Sequence, residues 1–149
     1  MRHFAALAVG LFTAVGAAKA QSCIAFEDAI QQASANFEDS PQNLPVIEGA
    51  SPTTCDVATS LDGTRIYHCR WDHSYRAPEA IFQMAKMNTE IERCLGIASR
   101  KIEDGVNHPD TYEQRLYRLG DINISLSLKD KAAFNQSFVS LQISGVNSK

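Results

Sequence analysis

Four cysteines constrain the fold of this chain more than any other feature of its sequence. They are Cys23, Cys55, Cys69 and Cys94, all placed after an apolar N-terminal segment. An even number of cysteines in an exported protein indicates disulfides. Metal binding is the competing interpretation, but it needs closely spaced ligands such as C-x-x-C, and the sequence has none. We therefore predict two disulfides within one small domain.

The N-terminal segment predicts export. Met1–Ala20 has a basic start, an apolar stretch and an Ala-Lys-Ala ending, which together are typical of a secretory signal peptide cleaved after Ala20. The apolar stretch is too short and too rich in Ala and Gly for a spanning helix. A lipoprotein signal would put a lipid on Cys23, but the aliphatic residue expected three positions earlier is missing. The sequence predicts a periplasmic or secreted domain over residues 21–149.

The charge of the predicted mature domain is mildly acidic. The chain has 14 Lys and Arg against 17 Asp and Glu, and two of the bases, Arg2 and Lys19, lie in the predicted signal peptide. The remaining 12 bases against 17 acids give a net charge of −5. This balance argues against nucleic acid or an anionic membrane as a partner. It slightly favours a basic protein partner.

A hairpin and two helices determine how the cysteines pair. Residues 54–60 and 64–72 are rich in β-branched and aromatic residues, and the Asp-Gly turn between them predicts a hairpin. A turn centred on Asp62 places Cys55 opposite Cys69. Cys23 and Cys94 lie on the apolar stripes of the predicted helices, which favours a second bridge between them. The alternative connectivity, with pairs 23–55 and 69–94, remains open at this stage.

Both helices show apolar residues at spacings of three and four. The first spans Cys23–Glu38 with Ser22 as N-cap, and its stripe comprises Phe26, Ala29, Ile30, Ala33 and Phe37. The second begins near Pro78 and ends before Gly96, positions that suit helix entry and exit. Its predicted stripe comprises Ile81, Met84, Met87 or Asn88, Ile91, Cys94 and Leu95. We expect both stripes to face the core.

The remaining segments complete an α+β pattern. Asp39–Thr53 is predicted as a proline-rich loop, and Leu44–Ile47 within it is a candidate contact segment. Ile97–Asp110 has no clear pattern. Three segments read as strands: Tyr112–Leu119, Ile122–Leu128 and Phe138–Ile143. The order α-β-β-α-(β)-β-β predicts an antiparallel sheet of four to five strands with two helices packed on one face.

No established catalytic motif occurs in the chain. There is no G-x-S-x-G, no H-E-x-x-H and no glycine-rich phosphate-binding motif. His68, Asp72 and His73, beside Arg70 and Trp71, are candidates for metal binding or proton transfer, with His108 as the third ligand that zinc would need. The alternative is a solvated strand face in which Arg70 pairs with Asp72. The sequence predicts no cofactor.

A second group of residues is a candidate binding site. Tyr and Arg are enriched at protein interfaces, and five of them fall near the predicted sheet: Tyr75, Arg76, Arg115, Tyr117 and Arg118. The alternative is that these are ordinary residues at a sheet edge.

Three functional hypotheses follow from these patterns. The first is an exported, non-enzymatic protein-binding module, for example of the inhibitor or immunity type, that acts through its exposed sheet face or the Asp39–Thr53 loop. Its partner would be another exported or envelope protein. The second is a small periplasmic hydrolase or metal-dependent protein that uses His68, Asp72 and His73. The third is a structural subunit of an envelope assembly.

Overall fold

The computed structural model describes residues 15–38, 53–103 and 110–145. Its helices are α1 (Val15–Ser34), α2 (Pro78–Leu95) and a short 3-10 turn (Ala132–Phe134). Its strands are β1 (Thr53–Thr59), β2 (Arg65–Ser74), β3 (Arg100–Glu103), β4 (Thr111–Leu119), β5 (Ile122–Lys131) and β6 (Gln136–Gly145). Most of the Asp39–Thr53 loop, with Leu44–Ile47, lies outside the described residues, and so does His108.

The described strands form one six-stranded antiparallel sheet in the order β1-β2-β6-β5-β4-β3. The predicted α+β class is confirmed, and the sheet has one strand more than the predicted maximum. The additional strand is β3, which lies in the segment that showed no pattern. Four residues are too few to establish an alternation by themselves, so β3 becomes recognisable only from its pairing with β4.

The hairpin and both disulfides are confirmed. β1 and β2 pair with Cys55 directly opposite Cys69, and the two residues are bonded with a Cα–Cα distance of 4.1 Å. Cys23 is bonded to Cys94 with a Cα–Cα distance of 5.1 Å, so the second bridge ties α1 to α2. No cysteine is free. A lipid on Cys23 is incompatible with this bridge.

The first helix differs from its prediction at both ends. It begins at Val15, so Ser22 lies inside the helix and is not its N-cap. The upstream Gly-Ala-Ala-Lys-Ala run has strong helix formers that extend the helix. The helix ends at Ser34 because Asn36 and Phe37 have φ values of 49° and 53°, which no α-helix accommodates. The predicted stripe is correct in its main members, since Phe26, Ala29, Ala33 and Phe37 are all buried.

The second helix has the predicted ends and most of the predicted buried face. Pro78 starts it, and Gly96 closes it in the left-handed conformation with its N–H donating to the Glu92 carbonyl. Ile81 was predicted to be buried, but it is 63% exposed. Met84, Met87 and Ile91 are buried as predicted, and Ala80 and Gln83 are two further buried positions. Ala80 is small and Gln83 is polar, so a search for large apolar side chains does not find these two buried positions.

Both helices pack on one face of the sheet, and the core lies between. α1 and α2 contact the central strands β2, β6 and β5. The inward positions of these strands are fully buried and include Tyr67, Trp71, Ile124, Leu126, Val139, Leu141 and Ile143. In the described residues, no helix is long and apolar enough to cross a membrane.

Candidate binding surfaces

The sheet face opposite the helices is here called the open face. Strand alternation puts His68, Arg70 and Asp72 on it, because the intervening Tyr67, Cys69 and Trp71 are completely buried on the helix side. The same alternation on β6 places Phe138 on the open face and Val139 in the core. The open face therefore carries mostly polar and charged residues, with a few aromatic and aliphatic side chains among them.

Four open-face side chains form what we call the aromatic–cation row: Arg70, Phe138, Lys129 and Tyr112. Phe138 lies opposite Lys129, and Lys129 lies opposite Tyr112, so the row runs across β6, β5 and β4. The Arg70 guanidinium lies 4.3 Å from the centre of the Phe138 ring, and the Lys129 ammonium lies 5.1 Å from that of Tyr112. Arg70 Nε also donates to Asp72 Oδ1 at 2.7 Å. Cations and rings thus alternate across four neighbouring strands.

A hollow of about 710 Å³ lies beside this row, toward the other end of the open face. Arg100 and Arg118 line it, together with Ile66, Leu116, Asn123 and Gln142. These side chains come from β2 through β3, so the hollow extends across the sheet. It provides a concave surface with two arginines at its border.

Charge is distributed unevenly between the two sides of the described structure. The strand positions of the open face carry five basic side chains against two acidic ones, Arg70, Arg100, Arg118, Lys129 and Lys131 against Asp56 and Asp72, and two further acids, Asp110 and Asp121, lie at its margin. The chain as a whole has a net charge of −3. The open face is thus a basic surface on an acidic protein.

A second concavity, here called the cleft, lies between α2 and the outer strands β3 and β4. It measures about 830 Å³. Its apolar lining includes Ala80, Ile81, Met84, Ala85 and Leu128, and its charged lining comprises Arg76, Lys101, Arg115, Glu113 and Asp130. The cleft exists because the sheet extends sideways past the helices, which pack on the central strands.

Hydrogen bonds fix the C-terminal half of α2 to the outer strands. The buried Tyr117 hydroxyl donates to Asn88 Oδ1 at 2.9 Å, and the Ser99 N–H donates to Glu92 Oε1 at 3.1 Å. The Ser99 N–H and hydroxyl hold the pKa of Glu92 below its usual range. Burial, followed by the Glu92 charge, raises the pKa of Tyr117 well above its usual range, so its phenol stays protonated as a donor.

A buried polar group joins β5, β6 and the start of α2. Ser137 donates to Asp130 Oδ1 at 2.5 Å and accepts from the Arg76 N–H at 2.7 Å. Arg76 Nε lies 3.6 Å from Asp130 Oδ2. These contacts fix the turn before α2. Ser137 is completely buried, so its hydroxyl is not an exposed nucleophile.

The candidate metal residues do not converge. His68 and Asp72 lie on the open face, whereas His73 is the neighbour of Asp72 on the same strand and points to the helix side, opposite Ser137. Asp72 pairs with Arg70, and His68 Nδ1 lies 3.6 Å from Asp56. Within the described ranges, no group of three or more His, Cys, Asp or Glu residues is arranged to hold a metal ion.

The five candidate binding residues divide among three places. Arg76 and Arg115 line the cleft, and Arg118 lies on the open face. Tyr117 is buried against Asn88, so it supports α2 and is inaccessible to a partner. The Arg76 guanidinium lies 5.1 Å from the centre of the Tyr75 ring. The structure therefore separates the predicted group into a cleft pair and an open-face arginine.

Sequence reasoning missed most of the aromatic–cation row. The predicted strands were Ile122–Leu128 and Phe138–Ile143, but β5 continues to Lys131 and β6 begins at Gln136. This extension brings Lys129 opposite both Phe138 and Tyr112. The alternation of inward and outward residues in β5 continues through Lys129, and this longer pattern was the signal that could have predicted the extension. No protein-family model and no curated protein sequence matches this chain.

Proposed function

We propose that this protein is an exported, non-enzymatic protein-binding module and that its contact surface is the open face of the sheet. The aromatic–cation row carries the proposal. It contains arginine and aromatic side chains, which are common at the centres of interfaces. Regular paired strands hold these side chains in fixed positions. A surface fixed in this way loses little conformational entropy on binding. The two disulfides suit an oxidising compartment, the periplasm or the extracellular space.

The charge of the open face supports an acidic partner surface. Its strand positions carry five basic and two acidic side chains, so an acidic protein would be attracted to it even though the whole chain is acidic. This reverses the expectation of a basic partner from overall composition. An inhibitor or immunity-type role, in which a small rigid protein covers an exported toxin or hydrolase, fits these properties.

The test is an affinity capture with a charge-matched pair of variants. The oxidised protein is immobilised, and bound proteins from the envelope and secreted fractions of the source organism are identified by mass spectrometry. Lys129→Glu changes the aromatic–cation row, whereas Lys86→Glu makes the same charge change on the exposed surface of α2. We expect one stoichiometric partner that Lys129→Glu releases and Lys86→Glu retains.

Two outcomes would overturn this proposal. An empty column with correctly folded protein would argue against a protein partner. A partner lost with Lys86→Glu but retained with Lys129→Glu would place the contact surface on the helix side. Added salt should weaken the expected complex, because it screens the attraction between the basic open face and an acidic partner.

A further inference from the structure

The basic residues of the open face differ in what lies next to them. Arg70 and Lys131 pair with carboxylates, those of Asp72 and Asp110, each at 2.7 Å. Lys129 lies over an aromatic ring. All three belong to the aromatic–cation row or lie next to it. The two remaining basic residues of the open face lie toward its other end, in the hollow.

These two residues, Arg100 and Arg118, are neighbours on adjacent strands. Arg100 on β3 is opposite Leu116 on β4, and Arg118 follows two residues later on the same face. Diagonal neighbours of this kind are about 7–8 Å apart. Arg118 Nε donates to the Gly120 carbonyl at 3.2 Å. Neither guanidinium forms an ion pair with a described carboxylate, and this includes Asp121 in the adjoining turn.

The other described residues that line the hollow are uncharged. Amides and hydroxyls line its middle, from Asn123, Gln142, Ser125 and Ser144, and Ile66 lies at the end away from the arginines. These amides and hydroxyls can exchange hydrogen bonds with a peptide backbone. They carry no negative charge, so a ligand that neutralises the arginines must bring its own.

The hollow has the length of a short extended peptide. It runs from β3 to β2, across four spacings between neighbouring strands, which amounts to about 19 Å. An extended segment of about six residues has this length. Side chains two residues apart in such a segment lie on the same side and about 7 Å apart. This spacing matches that of the two arginines.

We infer that the hollow binds an extended acidic segment of the protein partner, with two carboxylates two residues apart on Arg100 and Arg118. This inference rests on the proposed function, since the hollow is part of the open face. Guanidinium and carboxylate groups form charge-assisted hydrogen bonds, which are stronger than neutral ones. The rest of the segment extends over the serines and amides toward β2. The arginine pair therefore determines which end of the open face meets the acidic part of the partner.

The test is an NMR titration of the isotope-labelled, oxidised protein with the hexapeptide acetyl-Thr-Glu-Thr-Glu-Thr-Thr-amide at low salt. We expect saturable shifts of the Nε–H signals of Arg100 and Arg118 and of the Asn123 backbone amide. The peptide with glutamine in place of both glutamates should shift none of these signals.

Three variants locate the binding site. Arg100→Gln and Arg118→Gln should each weaken peptide binding about threefold, as expected for the loss of one exposed charge contact. Both arginines are exposed, so neither variant removes a core contact. Arg93→Gln is the matched control, because it removes a guanidinium from the exposed surface of α2. It should leave the affinity unchanged.

Several results of this titration would overturn the inference. It fails if the peptide causes no saturable shift, or if the glutamine peptide shifts the same signals. It also fails if the shifts lie at the aromatic–cation row, or if Arg93→Gln weakens binding as much as Arg118→Gln does. Trigalacturonate, an anionic saccharide, is titrated in parallel. Tighter binding of trigalacturonate than of the peptide would assign the hollow to a polysaccharide and overturn the assignment to a protein segment.

The affinity capture separates this inference from the proposed function. A partner that both Lys129→Glu and Arg118→Gln release would support both. A partner that Lys129→Glu releases and Arg118→Gln retains would keep the open face as the contact surface and overturn the acidic segment. An empty column would overturn the proposed function, whereas the peptide titration, which needs no captured partner, would still test the acidic site.

Discussion

A single methyl group at residue 145 would disturb the contact between sheet and helix. Gly145 ends β6 under α1, and a Cβ atom there would lie 2.8 Å from the Ala33 carbonyl oxygen. Because that atom belongs to the helix backbone, α1 itself would have to move. We expect Gly145→Ala to lower the free energy of unfolding by about 1–3 kcal/mol, measured by chemical denaturation.

Gly120 provides the control for this substitution. It has a φ of 57° in the β4–β5 turn, and nothing lies within 4 Å of a Cβ placed there. Gly120→Asn should therefore cost less than Gly145→Ala, since Asn tolerates the left-handed conformation. Equal stability of Gly145→Ala and the wild-type protein would show that α1 is not held closely against β6.

The hairpin turn should respond to acid through Asp62. Its carboxylate accepts hydrogen bonds from the Ser60 hydroxyl and from the Thr64 N–H, which lower its pKa to about 2. A lowered pKa means that the stabilisation is complete above the ordinary value of 3.8 and is lost as pH falls toward 2. An NMR titration should place this pKa well below those of other exposed carboxylates. Asp62→Asn should remove the pH dependence of the turn signals in that range.

The residue-scale predictions depended on how far alternation could be followed. Arg115 and Arg118 are three positions apart on a strand, so they had to lie on opposite faces. The same rule separates His73 from Asp72. The alternation within one strand cannot show which residue of the next strand lies beside a given side chain. The Arg100–Arg118 pair and the aromatic–cation row therefore required the strand register.

At the scale of elements, the bridge between α1 and α2 should contribute most to stability. Cys23 and Cys94 are 71 residues apart, and Cys55 and Cys69 are 14 apart. In the chain-entropy model the longer loop contributes about 4 kcal/mol and the shorter about 3 kcal/mol. We expect Cys23→Ser with Cys94→Ser to lower the free energy of unfolding by about 4 kcal/mol in denaturant titrations.

The same variant carries its own comparison. Reducing its remaining bridge should cost a further amount close to 3 kcal/mol, again from loop entropy. If the double variant loses less than about 1 kcal/mol, packing of Phe26 and its neighbours holds α1 in place without the bridge.

Elements with strong end signals were predicted well, and those fixed by pairing were not. Pro78 and Gly96 mark the two ends of α2 because their backbone preferences act locally. β3 and the extensions of β5 and β6 depend on neighbouring strands, which supply their hydrogen bonds. The position of the cleft follows from these edge strands. It could not be predicted while β3 was unassigned.

At the scale of the whole molecule, the proposed export has a direct consequence for α1. Cleavage after Ala20 would cut this helix, which begins at Val15, and leave residues 21–34 as its folded part. Cys23, bonded to Cys94, would fix the new end only two residues from the N-terminus. The buried contacts described for α1 begin at Phe26, so they would all remain.

We therefore expect the secreted protein to begin at Gln21 by intact mass and to keep its stability. Its melting temperature should stay within about 2 °C of that of the full chain, because the buried residues described for α1 all lie after the cleavage site. Ala18→Phe together with Ala20→Phe should block cleavage, since signal-peptide cleavage requires small residues at these positions. A product that retains residues 1–20 would contradict the predicted signal peptide. A processed protein that melts much earlier would show that Val15–Ala20 belongs to the folded domain.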